Sequence, residues 1–174
     1  MSRGRPSKRQ VILDAAKQLF IEQGYQGTSI DMVVKAAEVS KPTVYNNFPT
    51  KLALLSDIIP DVSNRVAACL TPNCEQPSLG ELVKIYARVC ELPELMMLYR
   101  VRIGEQHKLD DQVMQQLEHV DEQLATWIKM YLTDMNVPKV RAEQITQQLK
   151  ATYLFARLCG ESVPNTQDFA ATIS

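Results

Sequence analysis

The stretch VSKPTVYNNF, residues 39–48, concentrates side chains that can hydrogen-bond to an external partner. Its candidate recognition residues are Ser40, Lys41, Pro42, Thr43, Tyr45 and Asn46. In the major groove of DNA, a Lys ammonium can donate to guanine acceptors, and a Thr or Pro can contact a thymine methyl group. These residue types therefore suggest base reading, provided that the local fold turns them outward.

The apolar residues of the same stretch indicate how it folds. Val44 and Phe48 are four residues apart, so both lie on one face of a helix. Ser40 suits the N-cap, and Pro42 is tolerated in the first turn, where it removes no helical hydrogen bond. We therefore predict a short helix that is anchored by its apolar face and presents its polar face.

Two further helices precede it and complete a compact unit. Ile12, Ala16 and Phe20 follow helical spacing up to Gly24, and a second helix is predicted after Thr28 or Ser29. The short connection AEVS then leads into the polar helix, and this layout is typical of a helix-turn-helix. Around the recognition face we expect Thr28, Tyr45 and Lys51 to donate to phosphates.

Charge is distributed unevenly along the chain. Residues 1–53 contain eight Lys or Arg and four acidic residues, whereas the remainder contains 11 and 16. A basic head on an acidic body favours a polyanionic partner for the head. Residues 1–9 read as a flexible basic arm, and Arg3 and Arg5 could add DNA contacts. A solvated helix hairpin with chance basic residues is the alternative.

The rest of the chain also reads as helical, so we predict an all-α fold. Helices are expected after Thr50, with a bend or break near Pro60, after Ser78 and after Leu92. Two long helical patterns follow at about 110–134 and 139–159, and a short helix from Gln167 would fit the tail. The sequence has no sustained alternation of apolar and polar residues that would indicate a strand.

The run from residue 12 to residue 55 resembles the DNA-binding domain of the TetR family of bacterial transcription regulators. The similarity lies in AAKQLF before EQGY, in TSI opening helix two, in VSKPTVY, and in FPTK leading into a linking helix. One departure is Glu38, where the family commonly has Gly. A positive φ at that position would cost about 1 kcal/mol or somewhat more.

The resemblance implies a homodimer whose recognition helices read a palindromic double-stranded operator, usually as a repressor. It assigns base reading to Lys41, Pro42 and Thr43, and phosphate contacts to Tyr45 and Lys51. It also implies a helix-turn-helix domain, placed here at residues 1–53, joined to a helical domain at residues 54–174 for dimerisation and for binding a small-molecule effector.

Candidate residues for both roles of the body follow from composition and spacing. An effector pocket could use Tyr86, Cys90, Met97, Tyr99 and Arg100, which combine apolar bulk with polar groups. A four-helix dimer bundle could use Leu124, Trp127, Ile128, Leu149, Tyr153 and Ala156. The alternative for both sets is ordinary core. In that case the second set of residues does not predict a dimer.

Other functional classes receive little support from the sequence. No apolar run has the roughly 18 residues of a membrane span, and no signal peptide is evident, so we expect a cytoplasmic protein. No catalytic set, phosphate loop or clustered metal ligands are present, so we expect no enzyme activity, cofactor or metal. An architectural or cell-division DNA-binding protein with a protein partner, instead of a small ligand, is the alternative function.

Overall fold

The computed structural model describes residues 7–71 and 78–173, and every regular element within these ranges is helical. The helices are α1 (Lys8–Gly27), α2 (Ile30–Ala36), α3 (Lys41–Asn47), α4 (Lys51–Cys69), α5 (Leu79–Val89), α6 (Pro93–Glu105), α7 (Asp111–Asp134), α8 (Lys139–Leu149), α9 (Ala156–Cys159) and α10 (Thr166–Thr172). A 3₁₀ turn (Gln106–Lys108) follows α6, and a π-helical turn (Lys150–Phe155) joins α8 to α9. The predicted all-α fold is confirmed.

The head consists of α1, α2, α3 and the start of α4, packed around the apolar positions of the sequence pattern. Ile12, Ala16 and Phe20 of α1 are buried together with Val44 and Phe48. Gly24 adopts φ 75° and ψ 162°, so regular helical geometry stops there, as the sequence predicts. This core fixes the orientation of α3 relative to α1 and α2.

Helix α4 links the head to the body and runs without interruption through Pro60. Of the predicted bend or break near Pro60, the break does not occur. Pro60 is exposed, whereas its neighbours Ile59 and Val62 are buried, and the packing of this apolar face outweighs the one helical hydrogen bond that proline removes. Thr50 caps the helix by accepting from the Ala53 N–H at 3.0 Å.

The body is formed by the remainder of α4 and by α5 to α10. Its core includes Leu82, Val89, Leu95, Leu117 and Ile128, each at most 3% exposed. The short helix α10 packs on α5. It also brings the Phe169 ring to 5.4 Å from the Tyr153 ring, measured between centroids.

The end of the long helical pattern departs from regular α-helix. The turn from Lys150 to Phe155 has π-helical hydrogen bonding, after which α9 continues to Cys159. Gly160 then ends it with φ 74°, in the left-handed region that glycine tolerates. Within residues 7–71 and 78–173, no helix combines the length and apolar character needed to cross a bilayer.

Candidate DNA-binding surface

Helix α3 buries one face and exposes the other. Val44 and Phe48 are 0% and 1% exposed and anchor the helix in the head. Its other face leaves Lys41, Pro42, Tyr45 and Asn46 exposed. Tyr45 is 44% exposed, so its hydroxyl and ring are accessible to a partner.

The first turn of α3 is braced by its own side chains. The Ser40 hydroxyl accepts from the Thr43 N–H at 3.3 Å, which is the predicted N-cap. The Ser40 and Thr43 hydroxyls are also 2.7 Å apart, and Asn47 donates to the Thr43 carbonyl at 2.8 Å. The hydroxyls of Ser40 and Thr43 are therefore already engaged, and α3 presents a preformed surface.

The turn before α3 contains a strained backbone position. Glu38 adopts φ 53°, the left-handed conformation that costs a residue with a Cβ atom on the order of 1–2 kcal/mol. The chain tolerates it because Ala37 and Val39, on either side, pack on the core. The Val39 N–H also closes the turn by donating to the Val34 carbonyl at 3.3 Å.

Lys41 does not stand alone on the recognition face. Its ammonium nitrogen lies 2.7 Å from an Asp31 carboxylate oxygen on α2, and both side chains are largely exposed. The hydrogen bond to Asp31 and the negative charge of Asp31 raise the pKa of Lys41. The ammonium therefore stays charged, but it must leave Asp31 before it can donate to a base.

Lys51 is built into the head instead of projecting freely. Its ammonium donates to the carbonyls of Tyr25 at 2.7 Å and Thr28 at 3.0 Å. It also lies 4.4 Å from the centroid of the Tyr25 ring. Burial lowers the pKa of Lys51, partly offset by the charge of Glu105. We name this arrangement, Lys51 with Tyr25 and Thr28, the α1–α4 clamp.

Thr28 requires a correction, because its side chain cannot reach a phosphate in this conformation. The residue is 1% exposed, and its hydroxyl donates to the Gly24 carbonyl at 2.9 Å. Its contribution is structural: it closes the end of α1 and offers its own carbonyl to Lys51. Sequence spacing alone does not distinguish this role from phosphate binding.

The basic arm lies mainly outside the described residues. Arg3 and Arg5 are among the residues not described, so their predicted DNA contacts have no structural counterpart here. Arg9, at the start of α1, is occupied within the fold. Its guanidinium pairs with Asp57 of α4 and lies 4.9 Å from the centroid of the Phe48 ring.

The five predicted effector residues separate into two places. Tyr86, Cys90 and Tyr99 are buried in the body, and burial raises the pKa of the Cys90 thiol to about 12. Arg100 is instead exposed, and together with the buried Met97 it lines a cleft of about 300 Å³ between the end of α1 and α6. The five residues therefore do not line a single cavity.

Most of the predicted dimer residues face the interior of the monomer. Five are buried, namely Leu124 (1% exposed), Ile128 (0%), Leu149 (0%), Tyr153 (1%) and Ala156 (9%), and Trp127 packs partly buried against the same core. In this conformation those five side chains are not accessible to a second subunit. Helical spacing identified an apolar face correctly, but that face packs within the chain.

The head matches a known protein family in sequence. Residues 12–58 match the family model described as bacterial regulatory proteins, tetR family. The chain is 38% identical over 89 residues to the HTH-type transcriptional repressor ComR of Escherichia coli. It is 29% identical over 91 residues to the HTH-type transcriptional repressor DhaR of Mycobacterium sp.. These matches span 49% and 50% of this chain, but only 42% and 46% of the respective relatives.

The whole fold matches solved structures. A tetR-family transcriptional regulator from Streptomyces coelicolor superposes with a TM-score of 0.72 and 24% identity, covering 95% of this chain and 77% of that one. GusR of Salmonella enterica superposes with a TM-score of 0.71 and 22% identity, covering 99% and 94%. At these identities the likeness concerns the fold. By sequence, the head is similar to the bacterial regulatory proteins of the tetR family, whose model matches residues 12–58.

Proposed function

We propose that this protein is a sequence-specific DNA-binding transcriptional regulator. It binds a palindromic operator as a homodimer, represses the adjacent genes, and responds to a small molecule held in the helical body. The observation that carries the proposal is the outward polar face of α3, where Lys41, Pro42, Tyr45 and Asn46 are exposed over the buried anchors of the same helix.

The geometry of α3 suits the major groove. A helix fits that groove, and its exposed first turn would carry Lys41 and Pro42 to the base edges. Tyr45, one turn further along, would donate to the phosphate backbone. In the α1–α4 clamp, two of the three N–H donors of Lys51 are engaged, which leaves one donor for a phosphate.

A dimer surface is offered by the outer face of α8 and its continuation. Val140 is 71% exposed and Phe155 is 50% exposed, and Gln144, Gln148 and Ala151 lie between them at helical spacing and are also exposed. We name this set the α8 outer stripe. Large apolar side chains that are exposed at both ends of one stripe favour burial against a second copy. Two linked heads would then bind an operator far more tightly than one.

Selection of bound duplexes from a random pool tests DNA recognition. We expect an inverted repeat whose affinity falls steeply with salt but remains dependent on sequence. Lys41→Ala should lose roughly tenfold discrimination at one position of each half-site. Lys84→Ala, which removes an exposed charge from α5, should leave discrimination intact. Equal affinity for every duplex would contradict the proposal.

Sedimentation of the full chain tests the dimer. We expect the wild type to sediment as a dimer and Phe155→Glu to sediment as a folded monomer, because the charge would be buried at the interface without a partner. Ile103→Glu is the matched control, since Ile103 is 60% exposed on α6, outside the α8 outer stripe. A monomeric wild type, or a Phe155→Glu dimer as tight as the wild type, would contradict this assignment.

A further inference from the structure

A polar cluster inside the body connects α6, α7 and the π-helical turn. The Asp121 carboxylate on α7 accepts from the Tyr99 hydroxyl of α6 at 2.7 Å. It also accepts from Lys150, the first residue of the π-helical turn, at 3.0 and 3.2 Å. Arg102 of α6 lies 3.6 Å from the same carboxylate. We name these four residues the Asp121 cluster.

The charges of this cluster do not balance. Asp121 provides one negative charge, whereas Lys150 and Arg102 provide two positive charges. Burial alone would raise the pKa of Asp121, but the hydrogen bonds from Tyr99 and Lys150, together with the charges of Lys150 and Arg102, outweigh burial and lower it, so Asp121 is ionised at neutral pH. Lys150 and Tyr99 already satisfy this carboxylate at hydrogen-bond distance, which leaves one positive charge in excess.

Arg102 carries the excess charge in a form suited to binding an anion. At 3.6 Å its guanidinium is too far from Asp121 for a normal hydrogen bond. Its side chain is 30% exposed, so solvent and solutes can reach it. A guanidinium presents a planar fork of N–H donors that matches a carboxylate in a bidentate pair.

Arg102 also borders an apolar slot. A narrow slot between α6 and α7 is lined by Leu95, Leu98, Tyr99, Arg102, Leu117 and Val120. The slot has a volume of only about 10 Å³, roughly the space of one water molecule, so a ligand must separate the two helices to enter. The combination of aliphatic walls and one cation selects a molecule that has an apolar part and one negative charge.

A second polar group in the same region is buried beside a weak hydrogen-bond partner. The Tyr86 hydroxyl is fully buried, and it lies next to the Cys90 thiol. Burial raises its pKa, and neighbouring Cys90, Tyr99 and Asp121 raise it further, so the hydroxyl is close to the Asp121 cluster. A thiol is a weak hydrogen-bond partner, so a ligand group that bonds to the Tyr86 hydroxyl would strengthen binding.

We propose that a small apolar monocarboxylate binds between α6 and α7, with its carboxylate paired to Arg102 and its apolar part among the Leu and Val side chains of the slot. This assignment rests on the proposed function, because it names the class of the effector. Asp121, Tyr99 and Lys150 are positioning residues that hold the α6–α7 seam and orient Arg102.

Binding at this seam would be transmitted to the head through α6. The last residue of α6, Glu105, accepts hydrogen bonds from Gln26 at the end of α1 and from Lys108. Helix α1 also packs along α6. A ligand that moves α6 away from α7 therefore displaces the element on which the head rests, which changes the spacing of the two recognition helices.

The test uses the full chain without DNA and three probes that differ only in the head group: hexanoate, 1-hexanol and hexylammonium. Titration calorimetry gives each Kd, and thermal unfolding gives the change in Tm. We expect hexanoate to raise Tm by about 5–10 °C at 100 times its Kd. Hexanol should bind at least tenfold more weakly, and hexylammonium should not bind. Absence of hexanoate binding, or equal binding of all three probes, would overturn the proposal.

Two variants locate the site. Arg102→Met should abolish the preference for hexanoate over hexanol, whereas the exposed control Lys84→Met should keep it. If Arg102→Met does not fold, Arg102→Lys retains the charge but loses the fork, and it should bind hexanoate at least threefold more weakly. Full hexanoate affinity in either folded Arg102 variant would overturn the assignment. Failure here would leave sequence-specific DNA binding untouched, and loss of that specificity would not affect this binding result.

Discussion

The α1–α4 clamp gives a quantitative prediction for Lys51→Met, which keeps most of the aliphatic stem and removes the ammonium. Two hydrogen bonds from a charged donor, at 2.7 and 3.0 Å, are lost together with a cation–π contact at 4.4 Å. Such hydrogen bonds are worth about 1.5–3 kcal/mol each when buried. Lys51 is only partly buried, and its lowered pKa reflects the desolvation that opposes the gain. We therefore expect a net loss of about 2 kcal/mol.

For a chain of 174 residues, this loss corresponds to a decrease in Tm of roughly 4–8 °C. Thermal unfolding followed by circular dichroism measures it, with Lys84→Met as the control for removal of an exposed Lys charge. A Tm within 1 °C of the wild type would refute the reasoning. It would mean that hydrogen bonds from water stabilise the two carbonyls as well as those from Lys51.

The same variant separates clamping from phosphate binding. A Lys that neutralises a phosphate contributes about 0.9 to the slope of log affinity against log salt concentration. If the third donor of Lys51 reaches a phosphate, Lys51→Met should reduce that slope by about 0.9 for each contact. If Lys51 acts only in the clamp, affinity should fall without a change in slope.

Further expectations concern the turn, the recognition face and the body. Asp31→Asn should raise operator affinity roughly twofold to fivefold at low salt, because it frees Lys41 and removes a negative charge beside the recognition face. Fluorescence anisotropy measures this affinity, and weaker binding would contradict the prediction. Glu38→Gly should raise the free energy of unfolding by up to about 1 kcal/mol in urea titration, since relief of a positive φ exceeds the added chain entropy of glycine; a decrease would contradict it. The pKa of Asp121 in the folded protein lies below its ordinary 3.8, so the stabilising effect of the ionised carboxylate is complete above pH 3.8 and is lost as pH falls through the folded pKa. The difference in unfolding free energy between wild type and Asp121→Asn should therefore shrink in that pH range. A constant difference would refute this.

The sequence was sufficient for the helical framework because local rules decide it. The caps at Ser40, Thr50 and Ser78 each accept the expected N–H, and the apolar spacing of α3 correctly assigns its buried face. Of the bend or break predicted near Pro60, the break is absent, because packing along α4 outweighs the local preference of proline. Local propensity is reliable where tertiary contacts agree with it and fails where they do not.

The candidate sites were less accessible to sequence reasoning, because their contacts join residues that are distant along the chain. Lys51 meets carbonyls 26 and 23 residues earlier, and Lys150 meets Asp121 29 residues earlier. Residue type indicates that a Lys is cationic, but not whether its ammonium group contacts other protein groups or solvent. The apolar stripes of α7 and α8 posed the same problem, since spacing defines a face but not what covers it.

The π-helical turn lets one short segment serve two surfaces. Lys150 begins the turn and contacts Asp121 in the interior, whereas Phe155 ends the turn and is half exposed on the α8 outer stripe. If the same six residues took up the tighter α-helical repeat, everything downstream would rotate by about 100° relative to Lys150. The angle between the inner and outer surfaces is therefore set by the wide turn, and a change that restored α-helical hydrogen bonding there without removing a residue should disturb both surfaces at once, whereas most point substitutions would affect only one.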